Sequence, residues 1–282
     1  MLCMLLGLGS PVAAQDAAAE RLFSEAERLL QGGDIQASLE EFQLLVQQFP
    51  TDRLASKALL RAVEILHALG DVPGTRAALQ QLQSTYGRTL ESAAAFVKQA
   101  EIEVEQARRT GDLEEARATY RRVPLLFGRE TYPDLPSRVE ARLRSGEISL
   151  RLGEDETAVS EFLAAVEDET PNRFTGRARL NLATALVRTG EWIAATEVLQ
   201  RLAAEGDDSE ISTTADRARA VRWLSLLHRM VVRPLSGLEP WQATSRYPAA
   251  GLQLKQPAGV AASEDGRLVI VDPRLPLVAL VG

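Results

Sequence analysis

The chain has 282 residues, of which 45% are hydrophobic and 25% are charged, proportions that are ordinary for a folded protein. The formal net charge is −7, which argues against nucleic acid as a main partner because a phosphate-binding surface needs a surplus of lysine and arginine. The sequence contains a single cysteine, Cys3, so no disulfide bond can form within the chain.

The chain begins with a short apolar segment. Residues 1–14 carry no charged side chain, and the apolar run is too short to anchor the protein across a bilayer. The run fits a secretory signal, with Val12 and Ala14 as the small residues before a cut at Gln15, although the usual basic start is missing. We therefore expect residues 1–14 to be a signal peptide, no membrane span after its removal, and export to the periplasm or cell envelope. The alternative is an apolar tail without a targeting role.

One short pattern recurs between residues 17 and 205. In each instance a helical apolar stripe ends at a glycine followed by Asp or Glu, then a small residue comes five positions after the glycine and Leu or an aromatic residue nine positions after it. The glycines are spaced 37 to 42 residues apart and are Gly33, Gly70, Gly111, Gly153 and Gly190. Glycine can adopt the left-handed conformation that ends a helix, and the acidic residue beside it favours the start of the next helix.

Repeats of this length predict pairs of helices that stack. The small residue lets two helices approach closely, and the large residue fills the space between pairs. Because no pair can bury its own apolar stripe, neighbouring pairs must stack into a solenoid. We expect about five helix pairs over residues 15–232, with an amphipathic helix from Ser212 to Val232 covering the last apolar face.

These units resemble the tetratricopeptide repeat (TPR) family. The fourth unit matches best, through Gly146, Ala158 and Phe162, whereas the second departs most, with Thr75 at a small site and Pro73 in the first turn of its second helix. The resemblance implies a mainly α-helical fold, a right-handed α-α superhelix whose concave side binds peptides or proteins. The lengthened units resemble those of bacterial envelope proteins, which implies partners in envelope assembly or in peptidoglycan-associated machinery.

The C-terminal part has a different character. Residues 233–253 contain prolines and glycines without helical periodicity, which is typical of a linker. In residues 254–282, the pair Asp265-Gly266 lies between apolar stretches and predicts a β-hairpin.

This C-terminal segment resembles one blade of an NHL-type β-propeller. The resemblance rests on the order of Pro257, an Asp-Gly turn and an apolar strand that ends at Asp272. A closed propeller needs at least about four blades. We therefore expect a short β segment that is the first blade of a longer protein; a lone hairpin packed on the solenoid end is the alternative.

The sequence contains no constellation that predicts catalysis. Its two histidines, His67 and His228, are far apart in the sequence, and neither belongs to an HExxH or CxxC-type pattern. The nucleophile-elbow, phosphate-loop and dinucleotide-binding glycine motifs are missing as well. We therefore expect a protein that is not an enzyme and that uses no metal or other cofactor.

The candidate binding surface is the concave side, which the family resemblance assigns to the first helix of each pair. The predicted protein-binding residues are Lys57, Glu64, His67, Lys98, Glu101, Glu105, Arg108, Glu140, Glu147 and Arg177. Acidic residues outnumber basic ones, which suits a helical or extended partner peptide with some positive charge. The alternative is that these charges only keep the surface soluble.

The sequence thus predicts an interaction scaffold of the cell envelope that binds other proteins or peptides. Two alternatives belong to other classes of function. In the first, the chain is the N-terminal part of a longer propeller protein whose further blades carry an enzymatic or ligand-binding site. In the second, the solenoid is a structural spacer within a larger envelope complex.

Overall fold

The computed structural model describes residues 11–168, 172–206, 211–227, 259–262, 268–271 and 279–281. The chain divides into two compact units, residues 1–232 and residues 233–282, and each is described by itself. Several predicted features lie outside the described residues, namely residues 1–10 of the signal segment, His228, the linker 233–253 and the turn Asp265-Gly266.

The described part of the first unit is helical. Its helices are α1 (Pro11–Gln31), α2 (Ile35–Gln48), α3 (Arg53–Ala68), α4 (Val72–Thr85), α5 (Leu90–Thr110), α6 (Glu114–Leu126), α7 (Pro136–Leu152), α8 (Asp155–Val166), α9 (Thr175–Thr189), α10 (Trp192–Ala203) and α11 (Thr214–Leu227). Each odd-numbered helix up to α9 forms a pair with the helix that follows it, and we term these the first and second helix of the pair. Within the described residues, no helix has the length and hydropathy needed to cross a bilayer.

The turn inside each pair has the backbone conformation that its glycine predicts. The five turn glycines all have positive φ angles, between 74° and 88°. In the second pair, the Asp71 carboxylate accepts a hydrogen bond from the Gly74 amide at 2.9 Å and so caps α4. Asp34 caps α2 in the same way through the Ala37 amide at 3.3 Å. At these two turns the predicted combination of a helix-ending glycine and a helix-starting acid is confirmed.

The helices form two layers. Each helix packs against the next one along the chain, and the odd-numbered helices also pack against each other, in the contacts α1–α3, α3–α5, α5–α7, α7–α9 and α9–α11. Among the described helices, no second helix contacts another second helix. Successive pairs are therefore closer together on the side of the first helices, so this layer lies on the concave side. The described part of the unit is the mainly α-helical, TPR-like solenoid that the sequence predicts.

Small and large residues interlock inside the pairs. Phe42, Tyr120 and Phe162, each nine positions after a turn glycine, are at most 2% exposed. Opposite Phe162, a Cβ atom on Gly146 would lie only 2.6 Å from the ring, so the close approach of α7 and α8 requires glycine there. Ser38 is fully buried at a small site, and its hydroxyl donates to the Ala26 carbonyl at 2.8 Å. This hydrogen bond satisfies a polar group inside the core.

Loops also join successive pairs. The Tyr86 hydroxyl, just after α4, donates to the Pro50 carbonyl at 2.8 Å. The Tyr132 hydroxyl, after α6, donates to the Arg88 carbonyl at 2.9 Å. These loops lie at the end of each pair that is opposite its glycine turn, so the loop ends of the first three pairs are linked one to the next.

A buried ion pair anchors the long connection between α6 and α7. The side chains of Arg138 and Asp168 are each 1% exposed, and Nε of Arg138 donates to Oδ2 of Asp168 at 2.5 Å. The same guanidinium donates to the carbonyls of Tyr132 and Pro133 at 2.5 and 3.0 Å. Two charges can be buried this deeply only when such hydrogen bonds replace those lost from water.

The described part of the second unit consists of three short strands, β1 (Gly259–Ala262), β2 (Leu268–Val271) and β3 (Ala279–Val281). They form an antiparallel sheet in the order β1-β2-β3, with Val260 opposite Ile270 and Val269 opposite Leu280. A three-stranded antiparallel sheet occurs in many β folds and is not specific to a propeller blade.

Candidate protein-binding surface

The predicted binding residues all lie on first helices, and therefore in the concave layer. Lys57, Glu64 and His67 lie on α3, Lys98, Glu101, Glu105 and Arg108 on α5, Glu140 and Glu147 on α7, and Arg177 on α9. Lys57 and Arg108 are exposed, and no ion pair joins either one to another described residue. The other residues each have an oppositely charged neighbour and fall into two groups by position, one on α7 and α9 and one on α1, α3 and α5.

Glu147 is the centre of the first group. Its carboxylate accepts hydrogen bonds from Arg144 at 3.1 Å and from Asn181 at 3.0 Å, and it lies 2.7 Å from Nη2 of Arg177. Only 15% of the Glu147 side chain is exposed. These partners come from α7 and α9, so Glu147 joins the first helices of two successive pairs, which leaves it little capacity for a ligand.

Glu140 lies near the same arginine but has fewer partners. Nη2 of Arg144 is 3.8 Å from the Glu140 carboxylate, whose side chain is 17% exposed. Burial raises the pKa of Glu140, the charge of Glu101 raises it further, and Arg144 opposes the shift. Burial also raises the pKa of Tyr120, and the charge of Glu101 adds to that rise. These effects place Glu101, Glu140 and Tyr120 in one electrostatic environment between α5 and α7.

The second group lies on α1, α3 and α5. Arg61 joins the first two of these helices, since its Nε is 2.8 Å from Glu27 and its Nη1 is 2.9 Å from Glu64. Nε2 of His67 lies 3.8 Å from the Glu105 carboxylate and so connects α3 to α5. Lys98 and Glu101 form a pair at 3.1 Å within α5.

Sequence reasoning missed two arginines that offset the acidic charge of this surface. Arg61 and Arg144 each lie three residues before a predicted acidic residue, the spacing at which side chains meet on a helix, and that signal could have identified them. The concave layer is therefore less acidic than the predicted residues alone suggest. The most exposed of the predicted carboxylates are those of Glu105, Glu64 and Glu101, at 57%, 47% and 36%.

The described residues contain no group of three or more His, Cys, Asp or Glu side chains placed to hold a metal ion. The arrangement on the first helices is instead a row of charged side chains that repeats from pair to pair. Such a row can form ion pairs and hydrogen bonds with another chain that lies along it.

The helical unit is similar to several solved structures. Pseudomonas aeruginosa pilF matches over 78% of this chain and 94% of its own, with 15% identity and a TM-score of 0.50. A tetratricopeptide repeat protein from Parabacteroides merdae matches over 79% and 81%, with 16% identity and a TM-score of 0.47. A thermophilic TPR protein from Thermus thermophilus matches over 73% and 99%, with 18% identity and a TM-score of 0.42. At these identities the likeness concerns the fold alone. No protein-family model and no curated protein sequence matches this chain.

Proposed function

We propose that this protein is a non-enzymatic scaffold that binds partner peptides or proteins on the concave side of its helical unit. The observation that carries the proposal is the continuous layer of first helices, in which each odd-numbered helix contacts the next from α1 to α11. A repeated layer of this kind offers an extended surface, which suits recognition of a chain more than of a small molecule.

The exposed carboxylates are the groups that a partner can reach. Glu64 and Glu101 keep 47% and 36% of their side chains exposed, whereas Glu147 is held by α7 and α9 residues. A partner with lysine or arginine side chains would complement these acids and gain orientation from them. Glu147 and Glu140 instead pair with side chains of α7 and α9.

The experiment is a cross-linking capture with the whole chain. A purified protein is incubated with a cell-envelope extract, and cross-linked peptides are mapped by mass spectrometry. The double variant Glu64→Lys/Glu101→Lys reverses two exposed charges of the concave layer and should lower capture at least about tenfold. Glu105 and Glu147 are left unchanged because the first also lines a cleft described below and the second holds helices together.

The matched control reverses two charges on second helices. Glu40 on α2 and Glu197 on α10 are exposed acids outside the concave layer. The double variant Glu40→Lys/Glu197→Lys should capture the same partner as the parent, with cross-links on α3, α5 and α7. Equal losses in both double variants, or cross-links confined to second helices, would remove the concave side as the binding surface.

We also propose that the protein is exported and works in the cell envelope with assembly or peptidoglycan-associated proteins. This proposal rests on the apolar, uncharged character of residues 1–14. Helix α1 begins at Pro11, so a cut before Gln15 would remove only its first residues and leave the remainder in place. Mass spectrometry of the protein recovered from envelope fractions gives its N-terminus directly; recovery of the uncut chain from the cytosol would overturn the proposal.

The second unit is proposed to begin an NHL-type propeller that adds another interaction surface. Support comes from the order β1-β2-β3, in which strands that follow each other in sequence are paired antiparallel, as within a propeller blade. The alternative function, an enzymatic or ligand site in further blades, belongs to the same hypothesis. Sequencing of the transcript beyond the codon for Gly282 tests both, since a stop codon at that point would leave no further blades.

A further inference from the structure

A cleft of about 540 Å³ lies between α4 and α5, within the helical unit. The volume is in the range of ligand pockets, about 300–1,000 Å³. Its apolar lining comes from Val72, Leu79 and Ile102. Charged side chains also line it, and these comprise Glu103, Glu105, Glu115 and Arg76. The cleft therefore combines an apolar surface with an excess of carboxylates.

The cleft is open because repeat positions that are small or apolar at the other junctions between successive pairs are polar here. Thirteen residues after its turn glycine, α4 has Gln83, and the equivalent residues of the other second helices are Val46, Pro124, Val166 and Ala203. Twelve and eight residues before its turn glycine, α5 has Gln99 and Glu103. At the other junctions the equivalent residues are Ala58 and Ala62 on α3, Ala141 and Ser145 on α7, and Ala178 and Leu182 on α9; α1, which follows no earlier pair, has Arg21 and Glu25. At this junction, polar side chains replace the close packing of the others.

These three polar residues form a connected chain. Nε2 of Gln83 donates to Oε1 of Gln99 at 2.7 Å, and Nε2 of Gln99 donates to Oε1 of Glu103 at 2.7 Å. Oε2 of Glu103 is buried and has no hydrogen-bond partner among the described residues. Burial raises the pKa of Glu103 and the charge of Glu115 adds to the rise, whereas the hydrogen bond from Gln99 and the charge of Arg122 oppose it. An ionised Glu103 carboxylate destabilises the α4–α5 junction unless a hydrogen-bond donor or a positive charge pairs with it.

The charge balance of the cleft indicates which kind of ligand could compensate for the buried charge of Glu103. Its carboxylates are those of Glu103, Glu105 and Glu115, whereas Arg76 is the one guanidinium among its lining residues. Nε2 of His67 lies 3.8 Å from the Glu105 carboxylate at the edge of this group. A positive charge on an aliphatic stem would satisfy the carboxylates and at the same time cover Leu79 and Ile102.

We propose that the cleft between α4 and α5 is a second binding site, which takes a lysine- or arginine-bearing segment of a partner protein. The aliphatic stem of that side chain packs on Leu79 and Ile102, and its cationic end pairs with the carboxylates of Glu103 and Glu115. Gln80 and Gln106, whose side chains also line the cleft, supply amide groups for the backbone of the segment. The cleft shares Glu105 and His67 with the concave layer, but the carboxylates that pair with the cation, Glu103 and Glu115, are not among the predicted concave residues.

The test is a titration of the full chain with a blocked leucine-lysine-leucine tripeptide, followed by amide chemical shifts in NMR. Shifts should concentrate on α4 and α5 residues that line the cleft. The same peptide with norleucine in place of lysine should bind at least about tenfold more weakly, because it keeps the aliphatic stem and loses the charge. The double variant Glu103→Gln/Glu115→Gln should bind the lysine peptide more weakly than the parent by a similar factor.

Controls separate binding from folding. Glu40→Gln/Glu197→Gln removes two exposed charges from α2 and α10 and should bind the lysine peptide like the parent. Helical circular dichroism checks that Glu103→Gln/Glu115→Gln is folded, and the single variant Glu115→Gln, at an exposed residue, provides a second reading. Equal binding of the norleucine peptide overturns the proposal, as do shifts confined to α3 and α7. Binding of spermidine with no binding of the peptide overturns it in favour of a free amine ligand.

Discussion

The α4–α5 junction and the α8–α9 junction use the same repeat positions for different side chains. At the α8–α9 junction, Val166, Ala178 and Leu182 belong to or pack on one hydrophobic cluster that runs from α7 to α11. At the α4–α5 junction, the cluster of the first two pairs reaches α5 only through Ala95 and the partly buried Ile102. The turns inside the pairs are alike at both places, so the glycine-marked pattern determines the pair, whereas the junction residues determine how tightly two pairs close.

The largest expected change in unfolding free energy comes from a variant that gives the closed α8–α9 junction the polarity of the open α4–α5 junction. Leu182 is 2% exposed. The variant Leu182→Glu should lose about 3–5 kcal/mol of unfolding free energy, because it removes a buried aliphatic side chain and introduces a buried charge. Urea unfolding measures the change. Ile193→Glu on α10, at a side chain that is 79% exposed, is the control and should stay within about 0.5 kcal/mol. Similar losses in the two variants would contradict a tightly closed α8–α9 junction.

A smaller loss of unfolding free energy is expected from a variant that disturbs the close packing inside the α7–α8 pair. Gly146→Ala would place a Cβ atom 2.6 Å from the Phe162 ring, which must shift to make room. We expect a loss of about 1–3 kcal/mol, measured by urea unfolding. Gly128→Ala introduces a methyl group with no atom within 4 Å and serves as the matched control. If Gly146→Ala were no worse than Gly128→Ala, the interlocking of α7 with α8 would not be as tight as the structure has it.

The smallest expected change in unfolding free energy comes from closing the open α4–α5 junction. The triple variant Gln83→Val/Gln99→Ala/Glu103→Leu gives α4–α5 the side chains of a closed junction and should gain about 1–2 kcal/mol at neutral pH. Differential scanning calorimetry measures the gain. The same variant should lose binding of the lysine tripeptide.

The pH dependence of that gain follows from the pKa of Glu103. Burial raises this pKa above its ordinary value of 4.5, and the nearby charges of Glu115 and Arg122 act in opposite directions on it. A raised carboxyl pKa means that the folded state holds its proton more tightly than the unfolded state. The parent therefore loses stability as pH rises from about 4.5 through the folded pKa, and the gain of the triple variant should grow over the same range. A gain that is independent of pH would show that the Glu103 charge is not its source.

Much of the fold follows from the sequence because the repeat is built from local rules. Gly33 and its four equivalents adopt the predicted left-handed turns, and Phe42 and Phe162 are buried as their positions predict. These features depend on backbone preference and on neighbours within one pair, which a single sequence displays directly.

The charged contacts were harder to predict because they join distant parts of the chain. Arg138 and Asp168 are 30 residues apart, and nothing in their local sequence indicates that both are buried. The cleft residues gave a signal that could have been found, since Gln83, Gln99 and Glu103 are large and polar where the other junctions between pairs have small or apolar residues. Which side chains meet in the cleft, however, could be determined only from the three-dimensional structure.

The hydrogen bond from the Tyr132 hydroxyl to the Arg88 carbonyl has a mechanical consequence. It ties the second and third pairs at their loop ends, whereas the cleft between the same pairs reaches Gly70, at the turn end of the second pair. A ligand that widened the cleft would therefore rotate one pair against the other about the tied edge, as a hinge does, without increasing their separation at Tyr132. Because every later pair is stacked on the third, a small angle at this single hinge would be carried through α7 to α11 and would grow into a displacement of the far end.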